Sequence, residues 1–189
     1  MDKPVNILMV GVGGQGIILA SDIISLAAMK AGYDAKKNEI HGMSQRGGSV
    51  FSHIRYGKKI YSPTIPEGQT DILVSLEEME TLRWLKYIGK QTRIVYFKNK
   101  ILPANVQEYP QGIEQAITKA CKHVSVIKPE EIKEKISSQK YLNTVLCGFL
   151  SNFLDLSNKH WTAAIKEKVP KDTYELNIQA FQLGKKLKT

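Results

Sequence analysis

The sequence predicts an α/β fold in which a Rossmann-like, mostly parallel sheet is flanked by helices. Two observations lead to this fold class. Short apolar runs alternate with helical patterns along most of the chain, as in domains built from βαβ units. The first apolar run, residues 5–10, has almost no polar positions, which is typical of a strand buried on both faces. With 189 residues, 42% of them hydrophobic, the chain is predicted to form one domain over residues 1–189.

The individual elements follow from apolar periodicity and from start and stop signals. The predicted strands are residues 5–10, 33–40, 71–76, 93–97 and 123–127. The predicted helices are residues 17–31, 112–122, 143–156, 161–169 and 174–188, with a further helix that starts at a capping box of Ser75 and Glu78 and ends at Ile88. The C-terminal segment, residues 140–189, is therefore expected to be helical.

A β-hairpin insertion is predicted between the second and third of these strands. Residues 49–56 alternate in polarity, residues 57–59 resemble a turn, and residues 60–61 resemble a short returning strand. A dinucleotide-binding domain would have a helix at this point.

A glycine-rich turn joins the first strand to the first helix. Gly11, Gly13 and Gly16 fit the pattern G-x-G-x-x-G, with Gly14 and Gln15 between them. Such a turn presents backbone N–H groups at a helix N-terminus, where the helix dipole favours an anion. The turn could bind a phosphate, a carboxylate or a partner loop, or it could serve only close packing of helix and sheet.

A second polar loop follows residue 40. Arg46, next to Gly47 and near Ser44 and Gln45, can form bidentate hydrogen bonds with a carboxylate or phosphate, or it can tie two loops together. His41 could transfer a proton or simply hydrogen-bond within the loop. Because ligands of such sheets bind beyond the carboxyl ends of the strands, both loops are predicted to lie on the same rim.

Composition argues against several classes of function. The net charge of +9 comes mostly from scattered lysines, which does not indicate a nucleic-acid site. No apolar run approaches the roughly 20 residues of a membrane span, and no targeting segment is recognised, so we expect a cytoplasmic protein. Two cysteines cannot hold an iron–sulfur cluster, and neither a metal-ligand spacing nor a catalytic triad stands out. The chain does not look like a complete enzyme.

Three stretches carry a resemblance to a known family. Residues 11–16, 39–50 and 143–148 resemble the gamma-type domain of 2-oxoacid:ferredoxin oxidoreductases. The sequence HGMSQRGGSV, residues 41–50, is most similar to the small beta subunit of the branch that acts on indolepyruvate. The order of the motifs and the chain length also agree with this family.

The resemblance implies a role inside a larger complex. Family members oxidatively decarboxylate a 2-oxoacid to an acyl-CoA, and electrons pass to ferredoxin. Thiamine diphosphate, Mg and 4Fe-4S clusters are expected chiefly on a large alpha subunit, with coenzyme A in the complex and no cofactor on this chain alone. The isolated chain is expected to be inactive. It is expected to act as part of a hetero-oligomer that binds neither nucleic acid nor a membrane. No catalytic residue is assigned; the residues expected to line a cleft shared with the large subunit are Gly11, Gly13, Gly14, Gln15, Gly16, Ser44, Gln45, Arg46 and Gly47.

Other interpretations stay open at the level of sequence. A similar chain could serve pyruvate, 2-oxoglutarate or branched-chain 2-oxoacids. A stand-alone NAD(P)-binding protein could use Glu39 for a ribose, or Lys36 and Lys37 for a 2′-phosphate. The fold could also act as a non-catalytic binding module.

Overall fold

A computed structural model of the chain describes residues 3–39, 47–102 and 107–187, which form one six-stranded sheet with helices on both faces. The strands are β1 (Val5–Val12), β2 (Asp34–Glu39), β3 (Ser49–Gly57), β4 (Thr70–Ser75), β5 (Ile88–Phe97) and β6 (His123–Ile127). The helices are α1 (Ile17–Lys30), α2 (Glu78–Arg83), α3 (Ile113–Ala120), α4 (Glu130–Lys133), α5 (Leu142–Leu150), α6 (Asn158–Lys168) and α7 (Tyr174–Lys186). The predicted α/β class and the helical C-terminal segment are confirmed.

The sheet has the order β2-β3-β1-β4-β5-β6 and is mixed. β1, β4, β5 and β6 pair in parallel, whereas β3 runs antiparallel to both of its neighbours, β1 and β2. The antiparallel hairpin therefore consists of β2 and β3. The prediction that residues 60–61 form its returning strand is wrong, because β1 and β2 already occupy both edges of β3. Tyr61 is instead 89% exposed.

The segment after β4 also differs from the prediction. The helix predicted to reach Ile88 ends at Arg83, and Ile88 already pairs with Thr70 as the first residue of β5. The capping residue is Glu77 rather than Ser75, since the Glu77 carboxylate accepts a hydrogen bond from the amide of Glu80 (2.8 Å). The Ser75 hydroxyl is engaged with the backbone of Glu77 instead.

Alternate residues of β1 belong to different cores. Ile7 and Met9 pack with α1, α5, α6 and α7, and Leu8 and Val10 pack with α2 and α3 on the opposite face. Burial on both faces explains the continuous apolar run of β1. This arrangement brings the glycine-rich turn and the N-terminus of α1 to the carboxyl end of the parallel strands.

Candidate functional site

The glycine-rich turn is fastened by the side chain of Gln15. Its Oε1 accepts a hydrogen bond from the amide of Val12 (2.7 Å), and its Nε2 donates to the carbonyl of Leu76 after β4 (2.8 Å). Gly11 lies buried within β1, where an added Cβ would stand 2.7 Å from Gln15 Oε1. Gly16 caps α1 in the left-handed region, with φ of 79°. Gln15 therefore holds the turn in shape.

A cleft of about 400 Å³ opens between this turn and the ends of β4 and β5. Its apolar lining residues are Leu19, Leu76, Phe97, Ile101 and Leu142. Its other lining residues are Gly14, Gln15, Gly16, Asn99, Gln139, Lys140 and Asn143. Within residues 3–39, 47–102 and 107–187, no side chain caps the N-terminus of α1, so its partial positive charge adds to that of Lys140. The cleft suits a ligand that has both an apolar part and an anionic group.

Asn143 joins the C-terminal helices to the turn. It is 3% exposed, and its Nδ2 donates a hydrogen bond to the carbonyl of Gly16 (3.2 Å). The next residue, Thr144, donates through its hydroxyl to Asn177 of α7 (2.7 Å). The sequence pattern at residues 143–148 thus corresponds to a contact between α5 and the cleft.

The end of the second loop meets the glycine-rich turn. The amide of Gly13 donates to the carbonyl of Gly48 (2.8 Å), so the described end of the second loop lies on the same rim as the turn, as predicted. Gly47 is exposed with φ of 85°. A second cleft of about 230 Å³ lies on this side of the turn, between Gly13 and Val50. His41, Ser44, Gln45 and Arg46 lie outside the described residues.

Several residues of the larger cleft were not predicted. Asn99 and Ile101 follow β5, and Gln139 and Lys140 form a short turn before α5. Asn99 carried a usable signal, because it comes two residues after a predicted strand, near the carboxyl edge where ligands of such sheets bind. Nothing in the local sequence pattern indicated Gln139 or Lys140.

Glu39, which could hold a ribose in a dinucleotide site, is engaged elsewhere. Its carboxylate accepts from Lys37 Nζ (2.5 Å), and Lys37 also pairs with Asp22 of α1. Burial acts to lower the pKa of Lys37, but these two carboxylates outweigh it and raise the pKa. Lys37 therefore keeps its charge and forms a structural ion-pair group with Asp22 and Glu39.

Residues 3–39, 47–102 and 107–187 contain no group of three or more His, Cys, Asp or Glu side chains placed to hold a metal ion. Among the same residues, no helix has the length and apolar character needed to cross a membrane.

Comparison with known proteins identifies the family. The sequence model described as pyruvate ferredoxin/flavodoxin oxidoreductase matches residues 6–187. The chain belongs to this family. It is 37% identical over 187 residues to the indolepyruvate oxidoreductase subunit IorB of Archaeoglobus fulgidus, covering 95% of this chain and 92% of that relative. The resemblance to a gamma-type domain of 2-oxoacid:ferredoxin oxidoreductases is thereby confirmed.

Solved structures share the fold of this family member. The gamma subunit of a keto/oxoacid ferredoxin oxidoreductase from Geobacter sulfurreducens superposes with a TM-score of 0.72 at 22% identity, covering 96% of this chain and 94% of that one. A 2-oxoglutarate:ferredoxin oxidoreductase from Magnetococcus marinus, solved with 2-oxoglutarate, coenzyme A and succinyl-CoA, gives 0.74 at 22% identity. That match covers 98% of this chain and 31% of the Magnetococcus chain.

Proposed function

We propose that this chain is the small subunit of a thiamine diphosphate-dependent oxidoreductase that converts an aryl 2-oxoacid, of the indolepyruvate type, to an acyl-CoA. The observation that carries the proposal is the 37% identity to an indolepyruvate oxidoreductase subunit over nearly the whole of both chains. Ferredoxin is the electron acceptor of the complex. A large subunit supplies the thiamine diphosphate, Mg and iron–sulfur clusters, and the two subunits form a hetero-oligomer.

The cysteines of this chain do not fit an iron–sulfur cluster. A 4Fe-4S cluster needs four thiolates, and the chain has only Cys121 and Cys147. Cys147 is fully buried, and burial raises the pKa of its thiol to about 12. Cys121 is 7% exposed and directs its Sγ to the carbonyl of Thr92 (3.1 Å). Electron transfer is accordingly assigned to the large subunit.

The residues of the larger cleft fit coenzyme A, whose thiol accepts the acyl group when it is bound. The apolar wall formed by Leu19, Phe97 and Ile101 suits the pantetheine arm, and Lys140 with the N-terminal amides of α1 suits a phosphate group. The Magnetococcus oxidoreductase was solved with coenzyme A bound. In this proposal Gly14, Gln15 and Gly16 form one wall of the larger cleft, Gly13 lies on the adjoining second cleft, and the large subunit completes the site.

The second loop has a separate part in the proposal. We propose that Ser44, Gln45 and Arg46, together with Gly47, line the same shared cleft from the rim next to Gly13. The bond between Gly13 and Gly48 supports this placement, because it anchors the end of the loop at the turn. Arg46 would pair with a carboxylate, a phosphate or the neighbouring subunit.

The test is to produce the chain together with its large subunit and to measure coenzyme A-dependent dye reduction. Indolepyruvate is expected to support the highest kcat/KM, with pyruvate and 2-oxoglutarate as comparison substrates. A preference for pyruvate or 2-oxoglutarate would overturn the aryl assignment, and absence of a thiamine-containing partner would overturn the whole proposal.

Variants test the assignment of the cleft within the same complex. Lys140→Gln is expected to raise KM for coenzyme A about tenfold, the effect of losing one charge-assisted hydrogen bond. Lys166→Gln on α6 removes the same charge from an exposed position outside the cleft and serves as the matched control. Arg46→Ala is expected to lower turnover; unchanged turnover and assembly would contradict its role.

A further inference from the structure

A buried carboxylate stands directly behind the cleft. Glu77, between β4 and α2, is 0% exposed. Its Oε1 accepts hydrogen bonds from the hydroxyl of Tyr109 (2.5 Å) and the amide of Ile101 (3.2 Å). Its Oε2 accepts from the amide of Glu80 (2.8 Å). A carboxylate is costly to bury unless its oxygens are hydrogen-bonded, and here three donors from three segments satisfy it.

One of the three donors, the amide of Ile101, belongs to a segment that lines the cleft. Residues 98–101 follow β5 without regular secondary structure, and Asn99 and Ile101 from this segment line the cleft. Because no helix or strand holds this wall, its position depends on local hydrogen bonds. The amide of Lys98 donates to the carbonyl of Ile127 (2.8 Å) and so holds the start of the segment. Its far end is held by the bond from the amide of Ile101 to Glu77 and by the bond from the amide of Glu78 to the carbonyl of Asn99 (3.0 Å).

The opposite wall of the cleft is the glycine-rich turn, and it is held by Leu76, the residue before Glu77. The carbonyl of Leu76 accepts from Gln15 Nε2 (2.8 Å) and, more weakly, from Asn99 Nδ2 (3.4 Å). Leu76 and Glu77 therefore connect the glycine-rich turn to the segment after β5. A shift of Glu77 would move the second wall relative to the first.

Tyr109 completes the arrangement. Its hydroxyl donates to Glu77 and accepts from the amide of Met79 (2.9 Å). Burial, followed by the hydrogen bond to the Glu77 carboxylate, raises the pKa of the Tyr109 hydroxyl far above its ordinary value of 10.0. The hydroxyl thus keeps its proton and remains a donor at all physiological pH values.

We propose that Glu77, held by Tyr109, is a positioning residue that fixes residues 98–101 as a wall of the cleft and so sets its affinity for coenzyme A. The identity of the ligand rests on the function proposed above. Glu77 does not line the cleft, so its effect passes through Ile101 and Asn99. Loosening this wall weakens binding of the ligand and leaves the reaction of the bound complex unchanged.

The experiment compares Tyr109→Phe and Glu77→Gln with a matched control, Tyr56→Phe. Tyr56 is fully buried on the other face of the sheet, and its hydroxyl has no hydrogen-bond partner among the described residues. The control therefore removes a buried hydroxyl without breaking a hydrogen bond. Hydrogen exchange at the Ile101 amide is measured on the full chain, and KM for coenzyme A and kcat on the complex with the large subunit.

In both variants we expect faster exchange at Ile101 and a KM for coenzyme A raised about tenfold, with kcat and the KM for the 2-oxoacid unchanged. Tyr56→Phe should change none of these values. A merely structural role would lower the yield or melting temperature without separating KM from kcat.

The possible failures are distinguishable. Unchanged exchange at Ile101 overturns the positioning role whatever the enzyme does. Faster exchange with an unchanged KM for coenzyme A in an active complex overturns the link to affinity while the proposed function stands. A wild-type complex without coenzyme A-dependent oxidation of any 2-oxoacid overturns the proposed function, and the assignment to coenzyme A falls with it.

Discussion

Replacing Gly16 by alanine tests the contact on which the cleft depends. Gly16 caps α1 with φ of 79°, in the left-handed region that side chains rarely adopt. A Cβ added at Gly16 would overlap the side-chain amide of Asn143, which donates a hydrogen bond to the Gly16 carbonyl. The substitution therefore imposes backbone strain and also displaces Asn143.

The two costs can be separated with a second glycine. Gly32, just after α1, has φ of 87°, and a Cβ added there would meet nothing within 4 Å. Gly32→Ala should therefore lower the free energy of unfolding by the left-handed strain alone, about 1–2 kcal/mol. Gly16→Ala adds a lost hydrogen bond of about 0.5–1.5 kcal/mol and a displaced side chain of about 0.5–1.5 kcal/mol. We expect a total loss of roughly 2–5 kcal/mol at Gly16.

Urea unfolding of the full chain, followed by circular dichroism, gives the midpoint and slope for each variant. The double variant Gly16→Ala/Asn143→Ala completes the comparison. Once the Asn143 side chain is gone, the new methyl group has space, so the double variant should lose at least about 1 kcal/mol less than the sum of the single losses. Equal losses at Gly16 and Gly32, or strict additivity with Asn143→Ala, would refute the reasoning.

Three further predictions concern other parts of the chain. Gln15→Ala removes the hydrogen bonds that fasten the glycine-rich turn and should lower the free energy of unfolding by about 1–3 kcal/mol in the same urea assay. Burial, together with the nearby charge of Arg55, lowers the pKa of His53 below 6.5. As the pH falls, the unfolded chain therefore binds a proton at this histidine before the folded chain does. The free energy of unfolding is thus undiminished by His53 above pH 6.5 and decreases as the pH drops below that value. In a pH series of unfolding curves, His53→Asn should flatten this dependence. Gly148→Ala places a Cβ against the Phe181 carbonyl of α7. The overpacking costs about 1–3 kcal/mol and should outweigh the gain of about 1 kcal/mol in helix propensity. The melting temperature of this variant should therefore be lower.

The strands and long helices were predictable because burial leaves a periodic pattern. The prediction for β6 matches residue for residue, and α1 and α7 end within two residues of the predicted limits. Periodicity gave a wrong prediction where apolar residues pack outside a regular helix or strand. Trp84 and Tyr87 look like a continuing helix, yet their rings stack with each other (centroids 5.4 Å apart) beside Phe51 on the sheet, and the chain turns into β5.

The candidate site was predictable only where the backbone itself is unusual. The glycine-rich turn has a recognisable sequence because positive φ and close approach require glycine at Gly16 and Gly11. The residue type of Gln15 indicates a hydrogen-bonding group, but no local pattern predicts that its side chain bonds to the backbone of Val12 and Leu76 rather than to a ligand. Lys140 reaches the cleft only through the packing of α5 against α1 and α7, which depends on tertiary structure.

The position of β3 argues against a dinucleotide site at this turn, although the turn carries the dinucleotide fingerprint. In the dinucleotide-binding arrangement, the strand that carries the ribose-binding acid lies beside β1. Here β3 is inserted between β1 and β2, and neighbouring strands are about 4.8 Å apart, so Glu39 is moved to about 10 Å from β1 in the plane of the sheet. The same insertion brings Gly48 against Gly13. The turn thus lacks the acidic neighbour that would bind a ribose and has a second loop beside it instead, which agrees with the cleft wall proposed above.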